Sequence, residues 1–191
     1  EEIFHGDLHP GNIMLLRGSR IVLIDFGAVG GLDRNYARTY GEMARAIAIG
    51  DYGAAMDHFL LMCDSIPPLD VARFRTEGVE VIRAWEARTH LHGLTFQERS
   101  VSGGLSFRLA DVYRKYRVNP TWQLLRATRS VGTMDSNLSV LLEGENPTKI
   151  MRRYFREAQR RRLRGLARNA VSRISNAAAS AARTATLVSD T

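Results

Sequence analysis

The feature that most constrains this chain is a pair of polar motifs separated by two short apolar runs near its start. The first motif is the octapeptide HGDLHPGN at residues 5–12, and the second is the tripeptide DFG at residues 25–27. The apolar runs IMLL (13–16) and IVLI (21–24) flank a polar, glycine-containing segment at residues 17–20. Apolar runs on either side of a polar turn predict a β-hairpin with one motif at each open end.

The register of this hairpin predicts which side chains meet. If the turn occupies residues 17–20, Leu16 pairs with Ile21, and Asn12 then lies opposite Asp25. Directly opposed residues on antiparallel strands lie about 4.5–5.5 Å apart. An amide oxygen and a carboxylate at that separation are able to share a hard cation such as Mg²⁺. The sequence therefore predicts Asn12 and Asp25 as metal ligands at one end of the hairpin.

A second carboxylate, that of Asp7, is expected at the same end because a Pro-Gly turn leads from it to Asn12. Four residues separate Asp7 from Asn12, which is the spacing between the catalytic Asp and the metal-binding Asn of kinases. In phosphoryl transfer one carboxylate serves the nucleophile, while an Asn and a second Asp hold the cation that neutralises phosphate charge. We therefore predict Asp7 and Asn12 as catalytic residues and Asn12 and Asp25 as cofactor and metal ligands. The residues expected to support this site structurally are His5, Phe26 and Gly27.

The residues around the two motifs distinguish between kinase-like families. The octapeptide resembles both the aminoglycoside/choline phosphotransferases and the UbiB/AarF family of atypical kinases. Phe26 followed by AVGGL at residues 28–32 is similar to UbiB/AarF, where the phosphotransferases more often show Trp. Gly6 occupies the position where protein kinases usually carry an Arg that binds a phosphate on the activation loop. The chain is therefore identified as resembling the UbiB/AarF family over about residues 3–155.

Looser matches to that family lie further along the chain. Arg34 with residues 40–51 resembles the family's helix that ends in a Gly/Arg-Asp turn. Residues 132–135, GTMD, resemble its Gly-x-x-x-Asp element after a long helix.

The resemblance implies a fold and a domain organisation. The fold is expected to be α+β and mostly helical, a protein-kinase-like C-lobe whose short β-hairpin carries the site residues. This lobe would occupy residues 1–148, with the catalytic segment at 1–32 and a helical body at 33–148. The family's ATP-binding N-lobe, with its Ala-rich phosphate loop, Lys-Glu ion pair and Lys-x-Gly-Gln extension, would precede residue 1. We therefore expect the chain alone to bind nucleotide poorly and to be inactive.

The resemblance also implies a function. The cofactors would be ATP and Mg²⁺, and the activity that of an atypical kinase or ATPase supporting ubiquinone (prenylquinone) biosynthesis or lipid-related metabolism at a membrane. A lipid or quinone precursor would be a ligand. Two alternatives remain open, namely a small-molecule phosphotransferase of the aminoglycoside/choline type and a non-catalytic, pseudokinase-like binding module.

Capping residues divide the helical body. Gly50 is placed to end a first helix, and Asn119-Pro120 to start a later one. Residues 89–106 mix Gly, Ser, His and charge without a period, which predicts an irregular connection. Three aspartates are placed to cap the starts of helices, namely Asp33, Asp51 and Asp70.

The C-terminal segment, residues 149–191, carries the positive charge of the chain. It holds 11 Lys and Arg against 2 acidic residues, and the whole chain has a net charge of +7. Apolar residues at helical spacing from Met151 to Ile174 predict a basic amphipathic helix. Three interpretations stay open: contact with an anionic membrane surface through residues 149–174, contact with a nucleic-acid backbone, or packing on the helical body. The membrane fits a lipid-related family, and nucleic acid is the least favoured partner.

The chain contains one cysteine, Cys63, which cannot form an internal disulfide, so a reducing compartment is expected. No stretch approaches the roughly 18 apolar residues that a membrane span needs. We therefore expect a cytoplasmic protein that associates peripherally with a membrane.

Overall fold

The computed structural model describes residues 2–18 and 20–189, and this part of the chain is mostly helical with small antiparallel sheets. The expected α+β class is confirmed. The strands are β1 (Glu2–His5), β2 (Ile13–Leu16), β3 (Arg20–Leu23), β4 (Val29–Leu32), β5 (Cys63–Ser65) and β6 (Asn119–Pro120). The α-helices are α1 (Arg34–Ile49), α2 (Tyr52–Leu60), α3 (Val71–Thr89), α4 (Phe96–Arg99), α5 (Phe107–Lys115), α6 (Trp122–Leu138) and α7 (Pro147–Ser189).

The predicted hairpin is present as β2 and β3, but its register differs by one residue from the prediction. Leu16 pairs with Arg20 rather than with Ile21. The turn is one residue shorter than expected because Gly18 adopts a left-handed conformation, with φ of 76°, which lets a tighter loop close. The prediction that Asn12 lies opposite Asp25 is therefore wrong. Asn12 instead accepts a hydrogen bond at its main-chain carbonyl from the amide of Ile24, at 3.0 Å.

A second sheet brings the two motifs together from their outer ends. Strand β1 pairs antiparallel with β4, so that His5 lies opposite Val29. Beyond this pair the Gly6 amide donates to the Ala28 carbonyl at 2.7 Å. A Cβ atom at position 6 would lie 2.3 Å from that carbonyl oxygen. Only glycine at position 6 allows these two segments of the backbone to approach this closely.

The caps predicted for the first three helices are confirmed. Each cap side chain accepts a hydrogen bond, 2.9–3.0 Å long, from the backbone amide three residues later. Gly50 ends α1 with φ of 86°, a conformation that glycine adopts without steric cost. The three capping residues are Asp33, Asp51 and Asp70.

The helix predicted to start at Asn119-Pro120 starts later. Asn119 and Pro120 pair with β5 as the short strand β6, and Thr121 caps α6 by accepting from the Leu124 amide. The short sheet removes these two residues from the helix. The GTMD segment at residues 132–135 lies within α6 rather than after it.

The irregular connection predicted for residues 89–106 is also wrong in part. Thr95 and Glu98 form a capping box that starts the short helix α4, as such a pair does in general. Residues Val101–Ser106 then form one π-helical segment that runs into α5. Here the capping chemistry outweighs the helix-breaking composition.

The hydrophobic core lies among helices α1, α2, α3, α5 and α6. Its fully buried side chains include Met62, Phe74, Ile82, Trp85 and Leu105. The indole of Trp85 donates to the carbonyls of the segment that precedes the π-helix, which satisfies its one polar group inside the core.

The chain divides into two compact units, residues 1–152 and 153–191. The first turn of α7 belongs to the first unit. There Met151 packs against the core cluster, and Arg152 donates to the Ala48 carbonyl at 2.8 Å and pairs with Glu86. Among the helices that the structure describes, none combines the length and apolarity that a membrane crossing requires.

Candidate active site

The site is built around the ring of His5, which lies at the end of β1 and is buried. Its Nδ1 accepts from the Asp7 amide at 3.3 Å, and its Nε2 lies 3.0 Å from the Ile24 carbonyl. A ring protonated on Nε2 satisfies both bonds, because Nδ1 is then an acceptor and Nε2 a donor. His5 therefore joins the backbone of the first motif to the residue that precedes Asp25. The sequence predicts His5 as a residue that supports the site structurally.

Asn12 is the buried polar residue of the site, with 5% of its surface exposed. It ends a 3₁₀ turn at Pro10–Asn12, which His9 caps by accepting from the Gly11 amide at 3.0 Å. The Asn12 side-chain amide Nδ2 donates to the main-chain carbonyl of Asp7 at 2.9 Å. With the nitrogen committed to Asp7, the oxygen Oδ1 is the atom of this side chain that suits a cation.

Asp25 follows the hairpin in a left-handed conformation, with φ of 57°. Such angles are uncommon outside glycine, and Asp tolerates them better than most residues. Its carboxylate Oδ1 accepts from the Gly27 amide at 3.2 Å, which begins a 3₁₀ turn at Phe26–Ala28. The side chain of Asp25 is exposed, so a carboxylate remains accessible at the end of β3.

The other two supporting residues flank this carboxylate. The Phe26 ring lies 5.7 Å from the His5 ring, centroid to centroid, and is 61% exposed. Gly27 supplies the amide that orients Asp25. Phe26 thus contacts His5, and Gly27 contacts Asp25.

The structure brings the backbones of Asp7, Asn12 and Asp25 to one end of the β2–β3 hairpin. Asn12 contacts Asp7 directly, and it reaches the residue before Asp25 through the Ile24 amide. Asp7 and Asp25 are exposed, whereas Asn12 is buried. One amide oxygen and two accessible carboxylates are hard oxygen donors of the kind that Mg²⁺ prefers.

The donor set suits Mg²⁺ better than a metal that needs a full protein cage. Across residues 2–18 and 20–189, no three His, Cys, Asp or Glu side chains are grouped to hold a metal ion. Mg²⁺ usually takes only one or two carboxylates from the protein and completes its octahedron with water and substrate phosphates. Asn12 and Asp25 fit that mode, and they are the residues that would hold the ion.

Two residues of the site have no signal in the sequence. Ser130 and Asn137, both in α6, donate to the main-chain carbonyls of His5 and Leu8. Each of these pairs is separated by more than 120 positions along the chain. A long-range contact of this kind leaves no periodicity, cap or motif that sequence reasoning could detect.

A catalytic-loop aspartate, an asparagine five positions later and a DFG aspartate after a hairpin are the arrangement of the kinase-like class. Within that class, residues 1–59 match the model of the ABC1 atypical kinase-like domain. This match confirms the resemblance to UbiB/AarF atypical kinases that the sequence predicted. It covers both motifs, the hairpin, α1 and most of α2.

The relatives extend the similarity along the chain. Two uncharacterized proteins of Mycobacterium tuberculosis, one from each of two strains, are 24% identical over 166 residues, covering 78% of this chain and 34% of the relative. An uncharacterized protein of Synechocystis is 32% identical over 82 residues, covering 43% of this chain and 20% of the relative. The chain thus spans about a third of the length of the Mycobacterium relatives. No solved structure gives a significant match.

Proposed function

We propose that this chain forms the catalytic C-lobe of an ATP- and Mg²⁺-dependent kinase or ATPase of the UbiB/AarF type. The observation that carries the proposal is the hydrogen bond from buried Asn12 to the Asp7 carbonyl, at the end of the hairpin that the exposed Asp25 follows. The match of residues 1–59 to the ABC1 kinase-like model supports it.

Each residue has a role in this proposal. Asp7, with its exposed carboxylate, orients the nucleophile and accepts its proton. Asn12 and Asp25 hold the cation through the amide oxygen Oδ1 and the carboxylate. When bound, Mg²⁺ neutralises negative charge that develops on the phosphates. His5, through its two hydrogen bonds, keeps the loop that carries Asp7 in contact with the end of the hairpin.

The nucleotide and an ATP-binding lobe would lie over the hairpin. Leu15 and Ile21 are directly paired on β2 and β3, and their side chains are 76% and 64% exposed. Uncovered apolar pairs of this size favour burial by about 25 cal/mol per Å² of apolar surface. These two residues are where we expect the adenine-binding surface of an ATP-binding lobe to pack.

The test of the catalytic proposal separates the two aspartates in the full-length gene product. Asp25→Asn should abolish Mg²⁺-dependent nucleotide binding, because the metal loses its carboxylate. Asp7→Asn should retain nucleotide binding and lower turnover, because only the group that serves the nucleophile changes. Asp64→Asn, which alters an exposed aspartate on β5, is the matched control. Intact ATPase activity in both site variants would contradict the proposal, and binding without any turnover in the parent protein would favour a pseudokinase.

We also propose that the protein supports prenylquinone or lipid-related metabolism. Its ligand would be a lipid or a quinone precursor. It rests on the family resemblance supported by the match at residues 1–59. A strain that lacks the gene should accumulate a prenylated quinone precursor, and the parent gene should restore the quinone. Complementation by the Asp25→Asn gene would show that this support does not need nucleotide chemistry.

We propose that α7 binds a membrane surface peripherally and so localises the protein there. In the second unit the side chains of Tyr154, Leu163 and Leu166 are exposed, at 66%, 58% and 57%. The arginines at positions 160–162 are exposed as well. Each basic group near an anionic lipid surface contributes about 1 kcal/mol, and salt screens it beyond a Debye length of about 10 Å at 0.1 M. Apolar and basic side chains together suit reversible adsorption on an anionic bilayer.

A vesicle sedimentation assay tests this contact. Deletion of residues 153–191 should abolish binding to vesicles that contain anionic lipid, and in the parent protein binding should weaken as salt rises. The deletion begins at 153 because Met151 and Arg152 contact the first unit. Vesicles of neutral lipid serve as the control. An absence of vesicle binding at low salt, together with a lower melting temperature after the deletion, would instead favour packing on the body.

A further inference from the structure

Helix α6 reaches the predicted catalytic loop with two side chains on one face. Ser130 Oγ donates to the His5 carbonyl, and Asn137 Nδ2 donates to the Leu8 carbonyl. The two donors are seven residues apart, which is two helical turns and about 10.5 Å of rise. We infer that Ser130 and Asn137 are positioning residues that clamp the loop on both sides of Asp7 and so set where its carboxylate lies. This inference rests on the function proposed above.

The backbone of the loop from His5 to Leu8 is held by hydrogen bonds at each residue. The carbonyls of His5, Asp7 and Leu8 accept from Ser130, Asn12 and Asn137, respectively. The amides of Gly6 and Asp7 donate to Ala28 and to the His5 ring. The Asp7 side chain itself is exposed. Its position is therefore determined by the backbone that carries it, and two of the bonds that hold this backbone come from α6.

Helix α6 is a firm support because other residues along it are packed. Leu124 and Ala127 are buried, and Leu124 belongs to the core cluster. Further along, the buried carboxylate of Asp135 accepts from both the amide and the hydroxyl of Ser102, at 3.1 and 2.7 Å. These contacts tie the helix to the π-helical segment. Because α6 is fixed by the core, a loop that is hydrogen-bonded to α6 is held in place as well.

The Ser130 contact is buried, with 7% of the residue exposed. Water cannot freely replace a hydroxyl at such a place, so its removal leaves the His5 carbonyl without that partner. Asn137 is half-buried, so its replacement is less disruptive to packing. Variants at the two positions therefore remove parts of the same clamp, and the Asn137 variant should disturb the packing less than the Ser130 variant.

The clamp is tested first by hydrogen–deuterium exchange of this chain, which needs no activity. Ser130→Ala and Asn137→Asp should each raise the exchange rate of a peptide covering residues 4–13 by about fivefold, the effect expected from loss of one hydrogen bond. Peptides from α3 should not change. Ser130→Thr keeps the hydroxyl and should restore protection. Thr133→Ala, which removes a hydroxyl that donates to the Arg129 carbonyl within its own helix, is the matched control.

Kinetics of the full-length gene product provide the second measurement. Loss of the clamp should lower kcat for ATP hydrolysis at least tenfold and leave KM for ATP within twofold, because the Asp7 loop loses support while Asn12 keeps its main-chain bond from Ile24 and Asp25 keeps its bond from Gly27. A merely structural role would instead change both constants together with the melting temperature. Unchanged exchange at residues 4–13 in both variants would overturn the clamp. If exchange is faster in the two variants but the parent protein has no ATPase activity, the clamp is retained and the proposed function is refuted.

Discussion

Asn12 donates its side-chain amide to the main-chain carbonyl of Asp7 at 2.9 Å. The bond links the two predicted catalytic residues before any ligand is bound. It orients the Asn12 amide so that its oxygen is the atom left for the cation that we propose, and it closes the loop that carries Asp7. One polar contact thus serves both the fold of the loop and the geometry of the site.

Replacing Asn12 by Asp tests how much this bond contributes to the stability of the fold. Asn12→Asp keeps the oxygen ligands but loses the donor, and it places a carboxylate beside the Asp7 carbonyl in a buried position. Loss of a buried hydrogen-bond partner costs about 1–3 kcal/mol, so the free energy of unfolding should fall by about that amount in urea titration. Asn35→Asp, an exposed change in the first turn of α1, should stay within about 0.5 kcal/mol. Equal stability of the two variants would refute the role of the bond.

Two glycine substitutions should have opposite effects. Gly6→Ala places a Cβ 2.3 Å from the Ala28 carbonyl oxygen, so the pairing of β1 with β4 must shift, at a cost of about 1–3 kcal/mol. Gly41→Ala, inside α1 with open space around it, should stabilise by about 0.5–1 kcal/mol through helix propensity. Thermal unfolding of the pair provides the measurement. Stabilisation by both changes would show that β1 and β4 do not approach this closely.

Glu86 should anchor the start of α7 to the body. Its carboxylate accepts from the Tyr52 hydroxyl and from Arg152. Glu86→Gln keeps the shape and removes the charge that strengthens both bonds, so we expect a loss of about 1–2 kcal/mol in the free energy of unfolding. Glu80→Gln, at an exposed position of the same helix, should have little effect. A comparable loss in the two variants would argue against an anchor at Glu86.

Alkaline pH should destabilise the protein partly through Cys63. Burial raises the pKa of the Cys63 thiol to about 12, and the Asp64 carboxylate adds to the shift. A thiol in the unfolded chain has a pKa of about 8.5, so between pH 9 and pH 12 the unfolded state has released a proton that the folded state keeps. Stability must therefore fall as pH rises through this window, by at most about 1.4 kcal/mol per pH unit for one group.

The contribution of Cys63 is isolated by the Cys63→Ala variant. Partly buried tyrosines such as Tyr40, whose pKa is raised mainly by burial, titrate in the same direction, so the variant retains some slope. Urea midpoints at pH 8, 9, 10 and 11 should decline less steeply in the variant. Parallel declines would mean that the thiol titrates alike in the folded and unfolded states.

The capped helix starts, the hairpin and the order of the two motifs are what the sequence by itself determined. The caps at Asp33, Asp51 and Asp70 depend on side chains that reach an amide three residues away, and such contacts are readable from spacing. The hairpin followed from its two apolar runs, and the order of the two motifs pointed to the kinase-like class, which the match over residues 1–59 confirmed. These features depend on neighbours in the chain or on motif chemistry.

Tertiary structure decided the register and the support of the loop. The left-handed Gly18 shortened the turn and moved Asn12 from Asp25 to Ile24, because a shift of one residue in a strand changes every pair. Pairing of Asn119 with β5 delayed the start of α6. The bonds from Ser130 and Asn137 span more than 120 positions. They exist because the core packs α6 beside the loop, which no local pattern of residues encodes.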